Sequence, residues 1–262
     1  MPEGPSIVIL KEAVQIFEGE KIMAATGNAK IDMSMLAGKK VTAFKSWGKH
    51  TLICLPSITI KIHLLMFGSY SINEQTKPDK ALRLHLKFKS GDLYFYTCSV
   101  KIIEGDIDKV YDWSADVLND TWDAAKAIEK LKNIPNALIC DALLNQDIFA
   151  GVGNIIKTEV LFITKVHPKS IVGSIPAKKI KEIVTEARDY SFDFLQWKKA
   201  FELRKHWLAY SKSICPRCNI KLIREHIGLT HRRTFFCNNC QVLYGEKEKV
   251  NKKPVNKKSV VK

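Results

Sequence analysis

Apolar residues return along the chain with two different periods. Near the start, Ile7, Leu10, Val14 and Phe17 recur at helical spacing, and Gly19 marks the helix end. From about residue 40 to 103 the period shortens to alternation, with many β-branched residues. KKVTAFKSWGKHTLICL, ITIKIHLLMFGSYSI, ALRLHLKF and DLYFYTCSV read as strands, with Ser90-Gly91-Asp92 as a turn between two of them. From 124 to about 210 the helical period returns, broken at Gly151-Val152-Gly153 and at His167-Pro168. The expectation is an α+β protein: an antiparallel β region with a leading helix (1–110), then a helical region (124–210). No internal repeat is visible.

Composition sharpens the picture between and after these regions. In 104–123, Glu104, Asp106, Asp108, Asp112, Asp116, Asp120 and Asp123 face only Lys109. We read this stretch, with 111–123 as its core, as a solvated acidic linker without a catalytic role. The whole chain carries a formal charge of +15 and a pI near 9.4. Such a balance points to a polyanionic partner, nucleic acid first and an acidic membrane surface second. The end, NKKPVNKKSVVK, adds five lysines and no acid, so 243–262 reads as a disordered basic tail. No apolar stretch is long enough to span a bilayer, and Glu3 and Ser6 stand where a signal peptide would begin. A cytoplasmic, monomeric protein is expected, associated with the nucleoid if the source is bacterial.

Of seven cysteines, Cys54, Cys98 and Cys140 are scattered among apolar residues and read as small core residues. The other four form CPRC and CNNC, with eighteen residues between the pairs. That spacing is the signature of a four-cysteine zinc site in which two turns, joined by a hairpin, each supply two thiolates. Cys215, Cys218, Cys237 and Cys240 are therefore expected to hold one structural Zn2+ in a finger over 211–242. Unligated, the hairpin would have little core of its own. Arg232 and Arg233 approach its second strand and offer bidentate donors to phosphate.

DALLNQDIFAGVGNIIKTEVLF reads as an apolar helix, a tight glycine turn and a second helix starting near Asn154. The second N-terminus would offer uncovered N–H groups to an anion, with Asn154 as a further donor. Read alone, the stretch is equally an ordinary helix hairpin. Likewise MPEGP, read alone, is a frayed end with Pro5 opening a helix.

Taken together, PEGP at the start, Lys49 in GKHTLICL, FAGVGN at 149–154 and RRTFFCNNCQ resemble the formamidopyrimidine-DNA glycosylase and endonuclease VIII family. The resemblance runs to about Gln241. It implies a β-sandwich domain, then a domain with a helix–two-turn–helix motif and a zinc finger, with damaged double-stranded DNA between them. It also implies base excision with abasic-site lyase chemistry. Pro2, exposed by loss of Met1, would be the nucleophile, Glu3 the proton carrier, and Lys49 a catalytic phosphate contact. Asn154 and Arg232 would bind phosphate; Arg232 is preferred to Arg233 because it lies five residues before Cys237. Leu65, Met66 and Phe67 would plug the hole left by a flipped base, Met66 as the tip.

PEGP is closer to the endonuclease VIII branch, since leucine usually holds the Gly4 place in the other. Val100 and Ile102 stand where the formamidopyrimidine branch carries an Arg-x-Phe pair, and no glycine-rich insertion precedes Cys215. Oxidised pyrimidines are the expected substrates. Ser6 departs from both branches, which usually carry glutamate there; serine would instead cap the first helix. The alternatives are a noncatalytic DNA-damage binder that keeps the fold, and a zinc-ribbon RNA-binding protein.

Overall fold

The structure, a computed structural model, describes residues 2–245. Met1 and 246–262, which hold most of the expected basic tail, lie outside the described residues. The first helix, α1 (Gly4–Val14), places Pro5 in its first turn, where a missing N–H costs nothing. It buries Ile7, Leu10 and Val14 against the β region. Ser6 does not cap it. The N-cap is Glu3, no side chain caps the helix, and the Ser6 N–H donates to the Glu3 carbonyl.

Eight strands follow: β1 (Ala24–Thr26), β2 (Ala43–Trp47), β3 (His50–Leu55), β4 (Ile58–His63), β5 (Ser69–Ile72), β6 (Leu82–Lys87), β7 (Asp92–Tyr96) and β8 (Ser99–Glu104). They form two antiparallel four-stranded sheets, ordered β1-β6-β7-β5 and β2-β3-β4-β8. Their shared apolar core includes Ile53, Ile60, Ile62, Leu84, Leu86, Leu93 and Phe95. The two longest strand-like runs each divide into a pair of strands. One breaks at Gly48-Lys49 and the other across Leu64–Gly68.

The helical region contains α2 (Ala124–Lys132), α3 (Ile139–Ala142), α4 (Asn154–Ile163) and α5 (Ala177–Lys199). Asp123 caps α2 by accepting the Lys126 N–H. Helix α4 is buried on almost every side, with Ile156, Val160 and Leu161 in the same core as Ile183, Val184 and Ala187 of α5. The chain ends in a two-stranded hairpin, β9 (Ile223–Ile227) and β10 (Arg232–Phe236). Cys98 and Cys140 are buried as expected and Cys54 is half-buried.

The two regions meet at three glycines. The Gly4 N–H donates to the Gly151 carbonyl at 2.9 Å. A Cβ on Gly4 would lie 2.9 Å from the Gly151 Cα, and one on Gly48 would lie 2.8 Å from the Gly151 nitrogen. Asp116 locks this junction, and here the acidic linker departs from expectation. Asp116 is buried, not solvated. Its carboxylate accepts the N–H groups of Gly48 (2.9 Å) and Leu118 (3.0 Å), and burial raises its pKa. Asp112 is also engaged, with Lys126 at 3.0 Å and Lys130 at 2.8 Å. The stretch thus fastens one domain to the other.

Gly48 combines this close contact with a left-handed φ of +52°. Gly38 has a φ of +79° but open space around it. Gly48→Ala should therefore cost about 2–4 kcal/mol in chemical denaturation, against about 1 kcal/mol for Gly38→Ala.

Candidate active site at the domain junction

A cavity of about 330 Å3 opens beside the glycine junction. Its walls come from the N-terminus (Pro2, Glu3), the β2–β3 turn (Lys49), the β4–β5 loop (Leu65, Met66), the start of α4 (Asn154) and the β9–β10 turn (Arg232). These segments are remote in sequence, yet they carry seven of the residues that the sequence singled out.

Glu3 is the buried centre of this arrangement, with 1% of its surface exposed. One carboxylate oxygen accepts the Ile155 N–H at 2.7 Å; the other accepts those of Gly153 and Ile156, both at 3.2 Å. The first turn of α4 is therefore not uncovered, as the sequence suggested. Its anion is supplied from within the chain, across a separation of about 150 residues. Gly153 is required here, because a Cβ would lie 2.3 Å from the Glu3 Cδ. Burial raises the Glu3 pKa, opposed by Lys49 and by the Ile155 and Ile156 N–H groups. A carboxyl group with a raised pKa holds its proton more readily than an exposed one, which suits it to proton transfer.

Lys49 points inward from its turn and donates to the Val152 carbonyl at 2.7 Å. Burial lowers its pKa; Glu3 opposes that shift and Arg232 adds to it. Arg232 reaches across the cavity, with Nη1 3.9 Å from the Met66 sulfur. Leu65, Met66 and Phe67 are 50, 48 and 75% exposed, so they do not pack in the core. Leu65 and Met66 line the cavity, whereas Phe67 is the most exposed of the three.

Asn154 is more committed than expected. Its amide donates to the Arg233 carbonyl at 2.8 Å, and its oxygen accepts from Lys157 Nζ at 2.8 Å. Lys157, fully buried, also donates to Thr234 Oγ1 at 2.7 Å, and burial pushes its pKa down to about 8. These bonds tie α4 to β10. Further along α4, Glu159 is buried and accepts the N–H groups of Leu208, Ala209 and Tyr210 at 2.9, 3.0 and 2.6 Å. The sequence signal for both residues was a lysine and a glutamate inside an otherwise apolar run.

The sequence reading also missed an aromatic wall formed by Trp47, His50 and His63. His50 and His63 are cross-strand partners with ring centroids 5.4 Å apart. His50 Nδ1 lies 3.3 Å from the Tyr111 hydroxyl, and burial drives the His50 pKa down to about 4. His63 is likewise lowered, mainly by burial, and its Nδ1 accepts the Leu65 N–H at 3.3 Å. Burial thus favours the neutral form of both imidazoles, and His63 steadies the loop that carries Met66.

The four paired cysteines come together as expected. Their sulfurs lie within 4.8 Å of one another, and those of Cys215 and Cys240 are 3.7 Å apart. A tetrahedral ion with metal–sulfur bonds of about 2.3 Å needs sulfurs about 3.8 Å apart, so the set fits a four-thiolate centre. Asn239 Nδ2 donates to the Cys218 sulfur at 3.2 Å. Gln241 docks the centre on α4: it accepts the Cys237 N–H at 2.8 Å and donates to the Leu161 and Val166 carbonyls.

Known proteins share this architecture. Residues 1–99 match the formamidopyrimidine-DNA glycosylase N-terminal domain, and residues 114–191 match the formamidopyrimidine-DNA glycosylase H2TH domain. The chain is 28% identical over 231 residues to endonuclease 8-like 3 of Xenopus laevis, covering 84% of this chain and 38% of that protein. It therefore spans about two fifths of the length of the curated relatives of that type. It is 30% identical over 283 residues to formamidopyrimidine-DNA glycosylase of Lactobacillus helveticus, covering 93% of this chain and all of that one. Among solved structures, a viral DNA glycosylase superposes with a TM-score of 0.79 at 23% identity, over 92% of this chain and 100% of that one. Lactococcus lactis formamidopyrimidine-DNA glycosylase, bound non-covalently to DNA containing an AP site, gives 0.80 at 22% identity, over 91% and 99%. No helix among the described residues is long and apolar enough to cross a membrane. The chain belongs to the formamidopyrimidine-DNA glycosylase and endonuclease VIII family.

Proposed function

We propose that the protein is a base-excision DNA glycosylase with abasic-site lyase activity, acting on damaged double-stranded DNA. The observation that carries this reading is the meeting of Pro2, Glu3, Lys49 and Arg232 in one cavity, with Glu3 buried and its pKa raised. Loss of Met1 gives Pro2 a free secondary amine. An α-amino group has a pKa of about 8, so part of it is neutral and nucleophilic near pH 7. Attack on C1′ forms the N–C1′ bond and breaks the glycosidic bond, and the base leaves with a proton. Glu3 then protonates the ring oxygen as the C1′–O4′ bond opens, which leaves an iminium ion on C1′. That cation acidifies the C2′ proton. Its removal expels the 3′ phosphate, a second elimination expels the 5′ phosphate, and water releases the sugar fragment.

The remaining side chains hold the DNA. Lys49, Arg232 and Asn154 contact phosphates around the flipped nucleotide, Asn154 through the amide hydrogen not given to Arg233. Leu65, Met66 and Phe67 fill the vacated stack, with Met66 leading. Oxidised pyrimidines are the proposed substrates. The support lies in the absence of a glycine-rich insertion before Cys215. Val100 and Ile102 carry none, because both lie within β8, Val100 buried in the core and Ile102 packed against it, and so do not stand at a DNA-facing position. Gly4 carries less weight, because its packing on Gly151 leaves no room for any side chain. Cys215, Cys218, Cys237 and Cys240 hold one structural Zn2+, which keeps Arg232 presented on its hairpin.

Borohydride added to the processed protein with thymine-glycol or abasic-site duplex should trap a covalent adduct at the N-terminus. Pro2→Gly should lower its yield at least tenfold. An untrapped protein that still binds the lesion, with Met1 shown absent by mass spectrometry, would establish the noncatalytic binder instead. Arg232→Ala should weaken DNA binding about tenfold and lower the salt slope by about one. Chelation should release one zinc per chain and reduce DNA affinity at least as much as Arg232→Ala, with Cys218→Ser behaving alike.

A further inference from the structure

Leu229 is 89% exposed, at the turn of the zinc hairpin. A single exposed leucine is common and by itself means nothing. This one is held in place. Its N–H is shared by both carboxylate oxygens of Asp141, each at 3.1 Å, from helix α3. Gly228 before it takes a φ of +77°, and a Cβ there would lie 2.2 Å from Asp141 Oδ1. The turn is thus clamped to the helical domain, and its most apolar side chain is directed away from the protein. The next residue, Thr230, lines the same cavity as Arg232, Leu65 and Met66. The Arg232–Met66 contact joins the hairpin to the β4–β5 loop. An apolar side chain fixed beside a cation-rich cleft gains nothing in water. It gains when a surface with both phosphates and stacked bases closes on it.

On the strength of the glycosylase reading, we propose that Leu229 is a second apolar DNA contact, pressing on the bases flanking the lesion from the zinc hairpin, while Leu65-Met66-Phe67 act from the β domain. Bound between two apolar contacts on different domains, the duplex is unstacked from both sides of the cleft. Asp141 is the positioning residue that keeps Leu229 in this attitude.

The test uses the full chain and a duplex with a tetrahydrofuran abasic analogue, with 2-aminopurine placed in turn on each side of the lesion. Partial burial of one leucine side chain predicts that Leu229→Ala raises Kd about fivefold to tenfold. The salt slope should stay unchanged, because no phosphate contact is lost, whereas Arg232→Ala lowers it. One flanking 2-aminopurine should lose its bound-state fluorescence gain in Leu229→Ala and recover it in Leu229→Met. Asp141→Asn, which keeps the size but weakens the clamp, should give the same fluorescence change to a smaller extent. If Leu229→Ala keeps Kd within twofold and both fluorescence signals, the proposal is wrong. If wild type itself binds the lesion no better than intact duplex, the glycosylase reading fails first and this contact fails with it.

Discussion

The carboxylate of Glu3 on the first turn of α4 is the contact on which the rest of the site depends. A buried helix start leaves N–H groups that must find acceptors. Glu3 meets three of them at once and brings its own neighbour, Pro2, to the cavity wall. The interaction fixes two things together. It sets the position of the chain's beginning against the helical domain, and it gives the carboxyl group an environment that raises its pKa. Glycines at 4, 48 and 153 accompany it, since a Cβ there would lie under 3.0 Å from the Gly151 backbone or from the Glu3 carboxyl itself.

Helix α4 passes that order on to the zinc hairpin. Asn154 and Lys157 bond to β10, Glu159 holds the segment that leads into the finger, and the Leu161 carbonyl receives Gln241. One buried helix of ten residues thus references the N-terminus, the hairpin and the cysteine centre to a common frame. Its polar residues cost desolvation, and each is offset by well-made hydrogen bonds. This explains a helix whose Asn, Lys, Thr and Glu are all buried.

Local regularities were legible in the sequence. The 3.6 and 2.0 periods located α1, the strands from β2 onward and the long helices, but not the three-residue β1, and the cysteine spacing located the centre now seen within 4.8 Å. What was not legible depends on partners far away. The amides at the start of α4 looked available because the glycine turn before them leaves them bare, yet Glu3 covers them. Asp116 looked like one more solvated acid because composition averages over a stretch, while its partner Gly48 lies 68 residues away. His50 and His63 become a wall only once strand register pairs them. Lys157 stood in plain view, but its meaning required Thr234 across the domain.

The burial of Glu3 also orders events in time. Trimming of a chain end needs backbone that is exposed and unbonded. In the folded chain the third residue is buried and the fourth is bonded to Gly151, so such access is no longer available. On the proposed mechanism, exposure of the Pro2 amine therefore belongs to the nascent chain, before the two domains close. On that mechanism, a chain that folds with its methionine retained has no Pro2 amine to attack with until it unfolds.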